Sequence, residues 1–263
     1  MAVIQQFPNP APYTPRPQSP AAHPVQDIVD FARLRLGFDP DPIQQTILRS
    51  ATKRGILNCT RQWGKTTVSA AKAVHRAFTV PKSLIVVASP GLRQSGEWMR
   101  RAADMLACLG IPKRGDGNNR VSLLLPNGSR IVGLPEAEAK IRGFSALSML
   151  VIDEAARVSE ESYRALRPML STTNGDIWML STPAGKQGFF YETWTNADPV
   201  WLRISVTAAD CPRISPDFLE EQRAVMGIDS FNQEHMCEFI GSGDALLDPD
   251  LIDAAFDKDL EAL

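Results

Sequence analysis

Apolar residues along the 263-residue chain fall into two rhythms. From Gly55 to Val206, short apolar runs alternate with stretches whose apolar positions recur every three or four residues. GILNCT is a short strand that runs into a glycine-lysine turn. SLIVVAS, LSMLVIDEA and DIWMLSTP are unbroken apolar runs, which marks them as strands buried on both faces, and WLRISV is a further strand. Between them, TTVSAAKAVHRAF, GEWMRRAADMLACLG, ESYRALRPML and QGFFYETW carry the helical period. VSLLLPNGSRIVGL reads as a hairpin turning on Pro-Asn-Gly. Such alternation of strand and helix predicts an α/β fold with a mostly parallel sheet flanked by helices.

The flanks break this rhythm. Residues 1–24 include seven prolines, which lack the N–H a helix or central strand needs, so a disordered or extended arm is expected there. VQDIVDFARLRL then carries an apolar face of Val25, Ile28, Val29, Ala32 and Leu36, and Pro42 opens a second helix. After Thr207 no buried strand recurs. SPDFLEEQRAVMG, with Ser215 as cap and Pro216 first, DSFNQEHMCEFI and DPDLIDAAFDKDLEAL read as helices. The chain thus divides into an arm (1–24), an α/β core (25–207) and a small helical acidic C-terminal subdomain (208–263).

Composition narrows the classes. Hydrophobic content of 44% and charged content of 22% are those of a globular protein. No apolar run reaches the ~18 residues of a membrane span, and no basic start with an apolar core suggests a signal peptide. Cys59, Cys108, Cys211 and Cys237 form no C-x-x-C pair, so neither a zinc site nor a disulfide framework is indicated. The net charge of −2 hides an asymmetry: residues 206–263 hold 14 Asp/Glu against 3 Lys/Arg, leaving the body basic. A basic body is compatible with a polyanionic partner.

The candidate chemistry begins at LNCTRQWGKTT. A strand-to-helix turn ending Gly64-Lys65-Thr66-Thr67 suits a polyphosphate, because backbone N–H groups at a helix start point at the anion. Lys65 can reach the β- and γ-phosphates and the Thr66 hydroxyl can hold Mg²⁺. The first glycine of G-x-x-x-x-G-K-[ST] is missing, however, and Cys59 stands in its place. Downstream, MLVIDE brings Asp153 and Glu154 to the tip of a buried strand, where ligands of open parallel sheets bind. Asp153 can share Mg²⁺ with Thr66, and Glu154 can orient and deprotonate an attacking water.

Together these motifs resemble the N-terminal ATPase domain of the large terminase subunit of tailed bacteriophages, a RecA/ASCE-like P-loop NTPase. TRQWGKTT is similar to that family's variant Walker A motif and MLVIDEA to its Walker B motif. WMLSTPAGKQGFFYETW resembles its coupling motif, FDPDPIQQTIL its adenine segment, and KIRGFSALSMLVIDEA carries an arginine ahead of Walker B as the family commonly does. The resemblance spans about residues 25–245. It implies an ATP-hydrolysing motor with ATP and Mg²⁺ as cofactors, pumping double-stranded DNA into a procapsid in the cytoplasm of the infected host. It also implies a homo-oligomeric ring, usually a pentamer, a portal protein and a small terminase subunit as partners, and no membrane.

On that resemblance Thr60, Arg61, Gln62, Trp63, Gly64, Lys65, Thr66 and Thr67 hold ATP, and Gln44 bonds the adenine, with Gln45 as its competitor. Ser181, Thr182 and Pro183 form the coupling segment. Arg142 is expected as a finger acting in a neighbour's site. Arg61 is expected to sense the γ-phosphate of its own subunit or to pair with an acid when nucleotide leaves. The basic loop PKRGDGNN and its surroundings, with Lys113, Arg114 and Arg120, are the first candidates for DNA contact. Large terminases usually carry a second, nuclease domain; the acids near Leu263 fall in a helical pattern, so no nuclease activity is expected of this chain. A nucleic-acid helicase or translocase with a related core, and a nucleotide-gated binding module, are the competing readings.

Overall fold

A computed structural model describes residues 27–118, 121–139, 144–196 and 198–241. The Pro-rich arm, Arg120, Arg142 and the acidic stretch from 242 onward lie outside the described residues. Two short helices come first. In α1 (Ile28–Leu36) the Asp27 carboxylate accepts from Val29 N, and Gly37 closes the helix in the left-handed region. In α2 (Pro42–Arg49) Asp41 and Gln44 form a reciprocal capping box.

The alternation then runs β1 (Arg54–Cys59), α3 (Lys65–Thr79), β2 (Leu84–Ser89), α4 (Leu92–Cys108), β3 (Ser122–Leu124), β4 (Arg130–Pro135), α5 (Glu136–Ala139) and β5 (Met149–Asp153). It continues with α6 (Glu160–Leu166), β6 (Asp176–Ser181), α7 (Gly188–Thr195) and β7 (Leu202–Val206), followed by α8 (Pro216–Val225) and α9 (Ile228–His235). The seven strands lie in the order β3-β4-β2-β5-β6-β1-β7. All pairings are parallel except β3 with β4, the expected hairpin.

Because successive side chains of a strand point to opposite faces, β5 feeds two cores. Met149 and Val151 join Trp63, Val74 and Trp98 on the α3/α4 side, while Leu150 and Ile152 join Tyr163, Leu166 and Phe190 on the other. Double-sided burial explains why these strands are apolar throughout.

Some boundaries differ from the sequence reading. Helix α4 starts four residues before Gly96, which lies inside the helix with open space where a Cβ would stand. The stretch ESYRALRPML splits into α6 and a 3₁₀ turn over Arg167–Leu170, since Pro168 has no N–H to continue an α-helix. Helix α9 stops at His235; Cys237 has φ 61, so MCEFI leaves the helix instead of prolonging it. The short α5 carries no periodic signal and is absent from the sequence reading.

Candidate nucleotide site

The loop between β1 and α3 explains its missing glycine. The Cys59 side chain is fully buried in the core, where burial pushes its thiol up. The position asks for a small apolar side chain, not for a left-handed backbone. That demand falls further on, at Gln62 (φ 62) and Gly64 (φ 101). Between them Trp63 is fully buried and anchors the loop in the same core. From behind, Thr60 N donates to Val206 O at 2.8 Å and Thr60 Oγ1 to Glu234 O at 3.2 Å. Asn58 Nδ2 donates to Cys237 O at 2.8 Å. The end of β7 and helix α9 therefore clamp the loop.

In front of the loop opens a cavity of about 880 Å³. Arg61, Gln62, Trp63, Gly64, Lys65, Thr66 and Thr67 line it, together with Phe38, Asp39, Gln44, Glu154 and Arg157. Pro90, Gln94, Arg101 and Arg213 complete the wall. The Gln44 side chain is almost fully buried and both its ends are used: Oε1 accepts from Asp41 N at 3.0 Å and Nε2 donates to Trp63 O at 3.1 Å. Its amide thus ties the loop to the start of α2. Gln45 donates instead to Pro40 O.

The acids come from β5, two strands away from β1, with β6 between them. Asp153 is 4% exposed and its Oδ1 has no partner among the described residues. Burial, reinforced by Glu154, pushes its carboxyl up to about 7, while Lys65 pulls the other way. Glu154 turns out of the strand at φ 52. Its Oε1 stands 3.4 Å from Lys65 Nζ, and its Oε2 stands 3.1 Å from Arg157 and 3.5 Å from Ser181 Oγ. Thr182 and Pro183 are buried just beyond β6, and Thr182 Oγ1 accepts from Arg157 at 3.0 Å. Among the described residues no three of His, Cys, Asp and Glu gather as a metal site. A cation beside Asp153 and Thr66 therefore needs further ligands from phosphate and water, which is how Mg²⁺ is usually held.

Arg61 turns toward α9, with Nε 2.6 Å from Glu234 Oε2 and Nη2 donating to Oε1 at 3.3 Å. Arg61 thus pairs with an acid of α9. Lys113 and Arg114 are exposed on the loop after α4 and do not line the cavity. Three residues at the site escape sequence reasoning. Arg157 follows Glu154 by three positions, and the 3₁₀ turn between them brings the two side chains together. Glu234 lies in a segment whose acids read as solvated surface. Arg213, isolated between β7 and α8, bonds Trp63 O and Asp41, and no local pattern marks it.

A strand inserted between the one that feeds the phosphate loop and the one that ends in Asp-Glu defines a P-loop ATPase-type fold of the RecA/ASCE-like kind. The chain belongs to the family described as terminase large subunit, T4likevirus-type, N-terminal, whose model matches residues 56–253. It is 27% identical over 205 residues to the terminase large subunit of Thermus virus P23-45, covering 70% of this chain and 41% of that protein. It is 26% identical over 165 residues to that of Escherichia phage T5, covering 60% and 38%. The chain thus spans about two-fifths of the length of these relatives. Among solved structures it resembles the large terminase ATPase domain of Thermus phage P74-26, with a TM-score of 0.72 and 22% identity, covering 80% of this chain and 98% of that one. The HK97 bacteriophage large terminase follows the same fold, with a TM-score of 0.67 and 16% identity over 81% and 55%.

Proposed function

We propose that this chain is the ATP-hydrolysing motor domain of a phage large terminase and drives double-stranded DNA into a procapsid in the host cytoplasm. One observation carries the reading: Lys65 of the phosphate loop and Glu154 at the tip of β5 both line the cavity and stand 3.4 Å apart. A phosphate cation and a base within one phosphate's reach are the parts that phosphoanhydride hydrolysis needs. The resemblance to large terminases supports it; one such structure, from a thermophilic bacteriophage, is a complex with ADP and another a complex with ATP-gamma-S.

In this reading the loop from Thr60 to Thr67 binds the phosphates and Gln44 lies toward the base. Thr66 and Asp153 would hold Mg²⁺, which neutralises phosphate charge when bound; the unpartnered Oδ1 of Asp153 fits that task. Glu154 takes a proton from the water that attacks the γ-phosphorus, and the bond to the bridging oxygen breaks to release ADP. Ser181, Thr182 and Pro183 carry the change to the rest of the domain. Arg61 responds to the γ-phosphate in its own subunit, and Arg142 completes a neighbour's site in a ring, usually of five subunits. Lys113, Arg114 and Arg120 offer sequence-independent contacts to DNA. A portal protein and a small terminase subunit are the remaining partners.

The test is ATP turnover as a function of protein concentration, with Glu154→Gln as the blank. Turnover per subunit that climbs with concentration supports sites completed by a neighbour, with Arg142→Ala losing the climb. Flat turnover moves the finger role to Arg61 and speaks for hydrolysis by single subunits. No turnover above the blank under any condition, with DNA present, would end the motor reading.

A further inference from the structure

We propose that Arg157 is a positioning residue that aims Glu154 and reports occupancy of the phosphate loop to helix α9. This deepens the nucleotide reading above and rests on it. Arg157 closes the 3₁₀ turn after β5 and its side chain is one-third exposed. Its guanidinium makes three side-chain contacts, each to a different element. Nη1 donates to Glu154 Oε2 at 3.1 Å and to Thr182 Oγ1 at 3.0 Å, and Nη2 donates to Glu234 Oε1 at 3.3 Å. One planar fork thus spans the acid after β5, the hydroxyl after β6 and helix α9. A guanidinium holds several acceptors in fixed relative directions, which a lysine ammonium does not.

The charges around this fork are shared in a telling way. Glu154 has two cations, Arg157 and Lys65, and Glu234 also has two, Arg157 and Arg61. Lys65 and Arg61 both belong to the phosphate loop and both line the cavity. A polyphosphate in the loop competes for both of them. As it draws them off, each acid keeps as its one remaining cation among these contacts Arg157, which lines the same cavity. Arg157 then fixes where the Glu154 oxygens point, and Glu234 must shift toward it or let go. Glu234 is placed to transmit that shift, because its side chain is only 15% exposed and its own carbonyl accepts from Thr60 Oγ1. Occupancy at the loop is felt at α9 through charge balance, with no direct ligand contact to the helix.

The experiment compares the full chain with Arg157→Ala and Arg157→Lys by two readouts. One is the kcat and KM of ATP turnover. The other is amide hydrogen exchange over residues 228–235 with and without ATP-gamma-S. In the unaltered protein the nucleotide analogue changes exchange in α9. Arg157→Ala is expected to lower kcat about tenfold or more while KM stays within about threefold, the pattern of a lost transition-state contact. It also loses the α9 response. Arg157→Lys keeps a cation beside Glu154 but not the fork, so it recovers kcat to within about threefold of the unaltered chain and still lacks the α9 response. The lysine variant also separates this role from simple misfolding. Unchanged kcat in Arg157→Ala, or an intact α9 response in either variant, overturns the inference while leaving the motor reading standing. An unaltered chain that neither binds nor hydrolyses ATP overturns both.

Discussion

Lys65 Nζ and Glu154 Oε1 stand 3.4 Å apart, with the lysine side chain 8% exposed. A phosphate must displace this contact to claim the lysine, so nucleotide affinity is net of breaking an ion pair that solvent screens weakly. Glu154→Gln removes the competing charge and keeps the shape. We expect ATP to bind about threefold to tenfold more tightly to the variant, about 1 kcal/mol. Turnover should fall about 10²- to 10⁴-fold with the base gone. A fluorescent-nucleotide titration and a phosphate-release assay read the two effects separately. Weaker binding by the variant would mean that Glu154 does not oppose the phosphates.

Lys72 is a second buried lysine with a different task. Its Nζ donates to the carbonyls of Ile47, Leu48 and Ser50, each at 3.0 Å, and lies 4.7 Å from the centre of the Trp178 ring. It caps the C-terminal end of α2, where backbone carbonyls lack helical partners. Burial pulls its ammonium down to about 8. Lys72→Met fills the space but strands those carbonyls, and we expect a loss of about 2–3 kcal/mol in stability by denaturant titration. Since the other end of α2 holds Trp63 through Gln44, nucleotide affinity should weaken as well. An unchanged denaturation midpoint would show that water replaces the lysine without cost.

Position in the chain decides what can be read without coordinates. Met149–Asp153 is legible as a buried strand because its apolar run is unbroken and local, and the start of α2 is legible from Pro42 at its first position. The start of α4 is not, because Gly96 reads as a boundary although the helix passes through it. Within the site, the order of loop and acids along the chain brings Lys65 and Glu154 into one hypothesis. It cannot show that Glu234 meets Arg157 from 77 positions away, or that Arg213 reaches Trp63 across 150. Those pairings arise from the sheet order, which threads β6 between β5 and β1, and from the bonds of Thr60 Oγ1 to Glu234 O and Ala208 N to His235 O that hold α9 against the loop.

His75 gives the fold a dependence on pH. Its ring meets Phe31 edge-on at 5.0 Å. Burial first, then Lys72 and Arg76, push the imidazole down to about 4 against the weaker pull of Asp27. The ordinary value of 6.5 applies to the unfolded chain. Between these two values the unfolded chain binds more protons, so stability rises with pH across the window and is lost as pH falls from about 6.5 toward 4. Discounted for the solvent that reaches the ring, the loss is about 1–2 kcal/mol. His75→Gln removes this dependence, so its melting temperature should fall less than that of the unaltered chain between pH 7 and 5. Parallel curves would assign the acid sensitivity to other groups.

Gly55 and Gly96 predict opposite outcomes for the same substitution. Gly55 pairs in register with Trp178 on β6, and a Cβ there would collide with the indole carbons Cδ2, Cε3 and Cζ3. That ring is fixed on its own account, being 2% exposed and lying under the Lys72 ammonium. Gly55→Ala must therefore move either the strand or the indole, and the expected cost is about 1–3 kcal/mol. Any shift of Trp178 also disturbs the lysine that caps α2, so the loss should shrink in a Lys72→Met background, a coupling that a double-mutant cycle detects. Gly96 lies within α4 with nothing inside 4 Å of its added carbon, so Gly96→Ala should stabilise by about 0.5–1 kcal/mol through helix propensity alone. A denaturation midpoint that rises for Gly55→Ala as it does for Gly96→Ala would mean that Trp178 yields freely.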